Sequence, residues 1–78
     1  MIKNILNNKY YEINIKENSL HLINYINVID IMSNKIDILL NNKTLIVNGS
    51  NLIICALDEN ELLIKGNIKG IEFINEQS

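Results

Sequence analysis

The second half of the chain alternates apolar and polar side chains with a period of two. This is the spacing of a β-strand that buries one face, and it constrains the fold more than any other feature. Ile36 and Ile38 flank Asp37, and after a short turn the alternation continues into Leu45 and Val47. We expect the alternating apolar positions to share one interior: Ile36, Ile38, Leu45, Val47, Leu52, Ile54, Leu62, Ile64, Ile71 and Phe73.

Polar turns separate the alternating runs. Residues 41–43 and 58–60 contain Asn or Asp, and Asn tolerates the positive φ that tight hairpin turns require. Shorter runs at residues 11–16, 20–23 and 28–32 come before them. The pattern therefore predicts an all-β fold, a small antiparallel β-sandwich or rolled sheet of six to eight short strands.

Residues 1–18 are the least patterned part and form a separate N-terminal segment with a candidate first strand. Residues 19–76 make up the predicted β domain. At 78 residues the chain has room for one core only.

Three glycines interrupt the apolar pattern: Gly49, Gly66 and Gly70. We interpret them as structural glycines, at bends where a side chain would clash or where φ is positive. The parity also slips between Ile68 and Ile71, which indicates a bulge. Because residues 45–49 resemble residues 62–66, two coils of a short β-solenoid are the alternative fold.

Composition excludes several classes of function. The net charge is −2 and arginine is absent, so the chain lacks the basic patch that nucleic-acid binding requires. A single cysteine excludes an internal disulfide. No apolar run approaches the roughly 20 residues that span a bilayer, and the N-terminus is too weakly apolar for a signal peptide. A cytoplasmic protein is therefore expected.

No residue pattern predicts a catalytic, cofactor-binding or metal site. His21 lies between two leucines, and alternation turns it to the opposite face, toward solvent. Cys55 has apolar neighbours, which favours a packed thiol over a reactive one. Residues 58–61 lack the glycine and the ligand spacing of a calcium loop, and read as a polar turn.

The second face of the predicted sheet also carries apolar residues. Ile46, Ile53 and Leu63 fall between positions assigned to the core. Because an open antiparallel sheet normally has a polar outer face, these residues need a cover. We therefore predict that they form an interface in a homo-oligomer.

The sequence resembles the YabP/YqfC family of sporulation proteins, and its YqfC branch most of all. The resemblance is carried by residues 45–54, Leu57 and residues 61–75, which include the G-x-x-L-x-I stretch that begins at Gly49, and it extends more loosely back to Leu20. Residues 24–28 depart from it, since an E-N-H-basic-Gly turn is common there in the branch. The chain is thus similar to a divergent member. The resemblance implies a protein of the endospore programme, made in the mother cell and without known enzymatic activity.

Together these observations predict a non-enzymatic structural or interaction protein of endospore formation. Its expected partners are further copies of itself and a sporulation membrane protein, with no nucleic acid, small-molecule substrate or cofactor. The alternative is a small ligand-binding or regulatory accessory module of a membrane partner. Clustered exposed apolar residues would favour the first function, and an enclosed polar pocket the second.

Overall fold

The computed structural model describes residues 10–75. They form one six-stranded antiparallel sheet in the order β1-β2-β6-β5-β4-β3, which confirms the predicted all-β class. Every neighbouring pair is antiparallel, so the solenoid alternative is wrong. The predicted N-terminal segment lies outside the described residues up to its ninth position. The strands are β1 Glu12–Lys16, β2 Ser19–Ile23, β3 Asn27–Met32, β4 Lys35–Leu40, β5 Lys43–Leu57 and β6 Glu61–Asn75.

The short link between β2 and β3 forces this sheet to roll up. In a flat sheet, β2 and β3 would lie four positions apart, which is about 19 Å. Residues 24–26 join them, and the backbone from Ile23 to Asn27 can extend only about 14 Å. The N–H of Asn24 donates to Asn60 O (2.7 Å), and the N–H of Ile26 donates to Leu39 O (2.8 Å). The link therefore ties the β5–β6 turn to the end of β4.

Rolling divides the sheet into two half-sheets. The first half-sheet contains β1, β2, residues 53–57 of β5 and residues 61–65 of β6. The second contains β3, β4, residues 43–48 of β5 and residues 67–75 of β6. Core side chains from both are almost fully buried, and within residues 10–75 only the facing half-sheet is present to cover them. The buried residues are Leu20, Leu22, Ile36, Ile38, Leu40, Leu45, Val47, Leu52, Leu62 and Ile64.

The predicted interior is largely correct. Seven of its ten residues belong to the buried set, while Ile54 and Ile71 are partly buried against it. Phe73 is an exception: it is 43% exposed at the end of the inner face. Its ring lies 6.0 Å from that of Tyr11, and Lys43 Nζ lies 5.4 Å from its centroid.

The two central strands are long, contrary to the expectation of short strands. Both β5 and β6 have 15 residues, because the chain bends at residues 49–51 and 66 without ending a strand. Register shifts in the β5–β6 pair accompany the bend, and one of them skips Lys69, inside the predicted bulge. The β3–β4 and β1–β2 turns stabilise the bend through backbone hydrogen bonds. Gly49 N–H donates to Asn34 O (3.1 Å), and Gly66 N–H donates to Asn18 O (3.0 Å).

Two of the three predicted structural glycines allow close backbone contact at this bend. A Cβ on Gly49 would lie 2.0 Å from Asn67 O, and one on Gly66 would lie 2.5 Å from Asn51 O. Gly66 also has φ of 136°, which L side chains rarely adopt. Gly70 is a correction to the prediction, because a Cβ there would meet no atom within 4 Å.

We expect Gly66→Val to lower the free energy of unfolding by at least about 2 kcal/mol, since it adds both backbone strain and a clash. The matched control is Asn67→Val, which places the same side chain on the next, exposed residue. Thermal melting of the two variants measures the difference. Equal Tm values would contradict the close approach at Gly66.

Candidate functional site

The polar side chains that could take part in catalysis or binding lie on the outer face of the first half-sheet. Alternation turns His21 away from buried Leu20 and Leu22, as predicted, and pairs it with Leu63 of β6. His21 Nε2 lies 3.0 Å from Glu61 Oε1, with the two side chains 38% and 55% exposed. An exposed pair of this kind contributes at most about 1 kcal/mol to stability. It orients the imidazole but leaves it open to solvent.

Ser19 shares this face with His21, two residues away on β2. Nucleophilic catalysis would need the serine hydroxyl within hydrogen-bond reach of the imidazole. Among residues 10–75 no hydrogen bond joins the two side chains; the imidazole contacts Glu61 instead. The described residues also contain no cluster of three His, Cys, Asp or Glu side chains placed to hold a metal.

Two open depressions meet at His21 and Leu63. One has a volume of about 460 Å³ and the other about 420 Å³. Asn14, Lys16, Ser19, His21 and Leu63 line the first, which reaches toward β1. His21, Ala56, Leu57, Asp58, Glu61, Leu62 and Leu63 line the second, at the β5–β6 turn. Because both depressions are open to solvent, they form a broad surface rather than an enclosed pocket.

An apolar patch lies at the centre of this surface. Leu63 is directly opposite Ala56, and Ile53, on the same face of β5, is diagonal to Leu63. Ile53 and Leu57 are 58% and 56% exposed. We call Ile53, Ala56 and Leu63 the Leu63 patch; Leu57, opposite buried Leu62, lies on the inner face at the end of β5. Its polar rim consists of His21, Asp58, Glu61 and Lys65.

The structure brings together two of the three predicted interface residues. Ile53 and Leu63 are both in the Leu63 patch. Ile46 lies seven residues before Ile53, about 20 Å along β5, and faces outward on the second half-sheet. There it is half-buried between Asp37 of β4 and Glu72 of β6. The bend in β5 separates it from the other two.

Sequence reasoning missed the exposure of Cys55 and of β3. Cys55 is exposed because it is the extra residue in the register shift between Ile54 and Ala56, so the packed thiol expected there is wrong. Ile29 and Ile31 are 54% and 57% exposed on the outermost strand. Register shifts skip Cys55 and Ile29, and a bulge changes the direction of a side chain without changing residue type. Ile31 is opposite buried Ile36, and its exposure follows from its position on an edge strand.

Tyr25 supports the turn that borders the Leu63 patch. Its hydroxyl donates a hydrogen bond to Asp58 O. Desolvation raises the pKa of this phenol above its ordinary value of 10.0, and the nearby Asp58 charge raises it further. Within the turn, Asn60 N–H donates to Asp58 Oδ1 (3.2 Å) and Asp58 N–H donates to Glu61 O (2.9 Å). The acidic cluster is thus the polar turn that the sequence predicts.

Comparison of the chain with family models, curated proteins and solved structures found no match. Among the described residues, no helix is long and apolar enough to cross a membrane.

We expect the Tyr25 phenol to titrate above pH 10, because burial and Asp58 disfavour the phenolate. The difference between the alkaline absorbance titrations of the wild type and Tyr25→Phe isolates this group from the other two tyrosines. Because the pKa of Tyr25 is higher in the folded than in the unfolded protein, the neutral phenol contributes to stability. This contribution is complete below the ordinary pKa and is lost as the pH rises through the folded pKa. Tyr25→Phe should therefore lose less stability than the wild type from pH 10 upward. A difference titration centred at or below pH 10 would contradict the contact.

Proposed function

We propose that the chain is a non-enzymatic structural or interaction protein of endospore formation that acts through the Leu63 patch. The observation that carries this proposal is a partly exposed apolar centre with a polar rim, the usual arrangement of a protein–protein interface. Large contiguous apolar patches are rarely left uncovered in a monomer, whereas single exposed apolar residues are common. The patch lies within residues 45–75, the part of the sequence that resembles the YabP/YqfC family.

The charged residues of the rim restrict which partners can bind the patch. His21 and Glu61 form one side, Asp58 lies at the turn and Lys65 lies opposite Ile53. Charged groups on a rim steer association and reject unsuitable partners more than they add affinity. A partner with an apolar centre and complementary charges fits this surface. We propose a second copy of the chain or a sporulation membrane protein in that role, in the mother-cell cytoplasm.

A ligand-binding or regulatory accessory module of a membrane partner is the second candidate. The two depressions favour it, because their volumes fall within the range of about 300–1,000 Å³ for small-molecule sites. Such sites usually enclose most of the ligand surface, and both depressions are open. The interaction role therefore has the stronger support.

We expect Leu63→Lys to weaken contacts through the patch at least about ten-fold, since it places a charge at the interface centre. Ile74→Lys is the matched control, because Ile74 is 48% exposed on the outer face of the other half-sheet.

Cells of the encoding organism that lack the gene should form fewer heat-resistant spores. Wild type and Ile74→Lys should restore the count, and Leu63→Lys should not.

Each outcome tests a separate part of the proposal. A normal spore count in the deletion would contradict the role in endospore formation, and restoration by Leu63→Lys would contradict the role of the patch. Light scattering of the wild type tests self-association. A mass of 9.0 kDa at every micromolar concentration would contradict a homo-oligomer.

A further inference from the structure

The open edge at β1 differs from the opposite edge at β3. Sheet edges invite pairing with another strand, and proteins protect them with bulges, charges or short strands. The β3 edge is interrupted by a register shift between Val28 and Asp30. The β1–β2 ladder runs from Glu12 to Lys16 without a shift, so the edge of β1 is regular.

The hydrogen bonds of β2 fix which backbone groups of β1 point outward. Gly66 N–H donates to Asn18 O, and Asn24 N–H donates to Asn60 O, so even-numbered residues of β2 bond to β6. The odd-numbered ones therefore bond to β1, and their partners there include Asn14 and Lys16. The N–H and C=O groups of the intervening residues, Ile13 and Ile15, then point to the open edge.

The sequence of β1 is complementary to itself when reversed. It reads Glu-Ile-Asn-Ile-Lys, with Asn14 at its centre. If two copies pair antiparallel about Asn14, each Glu12 faces a Lys16, and each Ile13 faces an Ile15. Opposite charges facing each other across strands stabilise a sheet, and like charges destabilise it. On β3 the single charged residue is Asp30, and self-pairing there would bring two carboxylates together.

The backbone hydrogen bonds are compatible with the same register. Ile13 and Ile15 carry the outward N–H and C=O groups, so in this register they form hydrogen-bonded pairs with each other. Asn14 then faces its own copy in a non-hydrogen-bonded pair. The arrangement is a closed two-fold contact, in which the same surface serves both copies. It also covers Ile15, which is 51% exposed in the single chain.

We infer that the β1 edge binds a second copy of this chain, joining the two sheets into one continuous sheet of twelve strands. This inference goes beyond the proposed function, since it uses a different surface from the Leu63 patch. The two-fold axis is perpendicular to the sheet, so both Leu63 patches face the same side of the dimer. A partner surface could then contact two patches at once.

Charge substitutions test the pairing by sedimentation equilibrium from about 10 µM to about 1 mM. All variants carry Leu63→Lys, so that association through the patch is removed from the measurement. Glu12→Lys alone and Lys16→Glu alone should each weaken dimerisation about ten-fold or more, because symmetry disrupts two pairs per dimer. The double change, Glu12→Lys with Lys16→Glu, should restore it.

Net charge alone predicts a different result. The Leu63→Lys background raises the net charge from −2 to −1. Glu12→Lys then makes it +1, which leaves its magnitude unchanged and should not weaken association, whereas Lys16→Glu makes it −3 and should oppose association. The double change leaves it at −1. Weakening by both single changes with recovery in the double change therefore supports edge pairing. Weakening by Lys16→Glu but not by Glu12→Lys, or a monomer throughout, would overturn it.

A disulfide tests the register directly. In a Cys55→Ser background, Asn14→Cys should form an intermolecular disulfide, because facing Cα atoms in a non-hydrogen-bonded pair lie about 4.5 Å apart. Lys16→Cys is the control, since its two copies would lie roughly 13 Å apart along the strands. Equal cross-linking of the two variants, or none at Asn14→Cys, would overturn the pairing.

Discussion

The fold depends on the burial of one sheet face by the sheet itself. A single antiparallel sheet has two faces, and no helix or second sheet is present among residues 10–75 to cover either. The three-residue link between β2 and β3 is too short for a flat sheet, so the two half-sheets must approach each other. Ten side chains become almost fully buried as a result. Fully burying one such side chain contributes about 1.5–3 kcal/mol, and this is the main stabilisation available to so small a domain.

The bend is possible because the central strands can turn sharply without losing their pairing. Gly49 and Gly66 bring the backbones of β5 and β6 together where any Cβ would clash. Carbonyl groups in the turns after β1 and β3, at Asn18, Ser33 and Asn34, accept hydrogen bonds from backbone N–H groups of the same region. The bend is therefore held from both sides, which explains why the strands continue through it.

Alternation was sufficient to predict the strands and most of the core. It works for β4 and the first half of β5 because their register is regular and each residue type indicates its face. The predicted interior left out Leu40, at the end of β4, and it left out Leu20 and Leu22, since the five-residue strand β2 is too short for a distinctive period. Alternation also placed Cys55 and Ile53 on a continuous ladder, whereas the register shifts turn Cys55 to solvent. Bulges depend on pairing with a distant strand, so the local sequence does not reveal them.

The Leu63 patch and the β1 edge differ in how far the sequence alone could predict them. Ile53 and Leu63 could be identified as outward-facing from the sequence alone, because they break an apolar-polar alternation. Grouping them with Ile46 was not justified, because the bend that separates Ile46 is a tertiary feature. The self-complementarity of β1 is visible in its sequence, but it acquires meaning only when β1 is known to be an edge strand. The sheet order supplies that information.

The central claim is that the sheet folds onto itself, and NOEs between methyl groups test it most directly. In the rolled sheet, methyl groups of Leu20 and Leu22 share one core with those of Ile36 and Ile38. We expect NOEs between β2 and β4 in the labelled full-length protein. In a flat sheet of the same strand order, these strands would lie about 14 Å apart, too far for any such NOE. Observation of NOEs within each half-sheet but none between β2 and β4 would contradict the fold described.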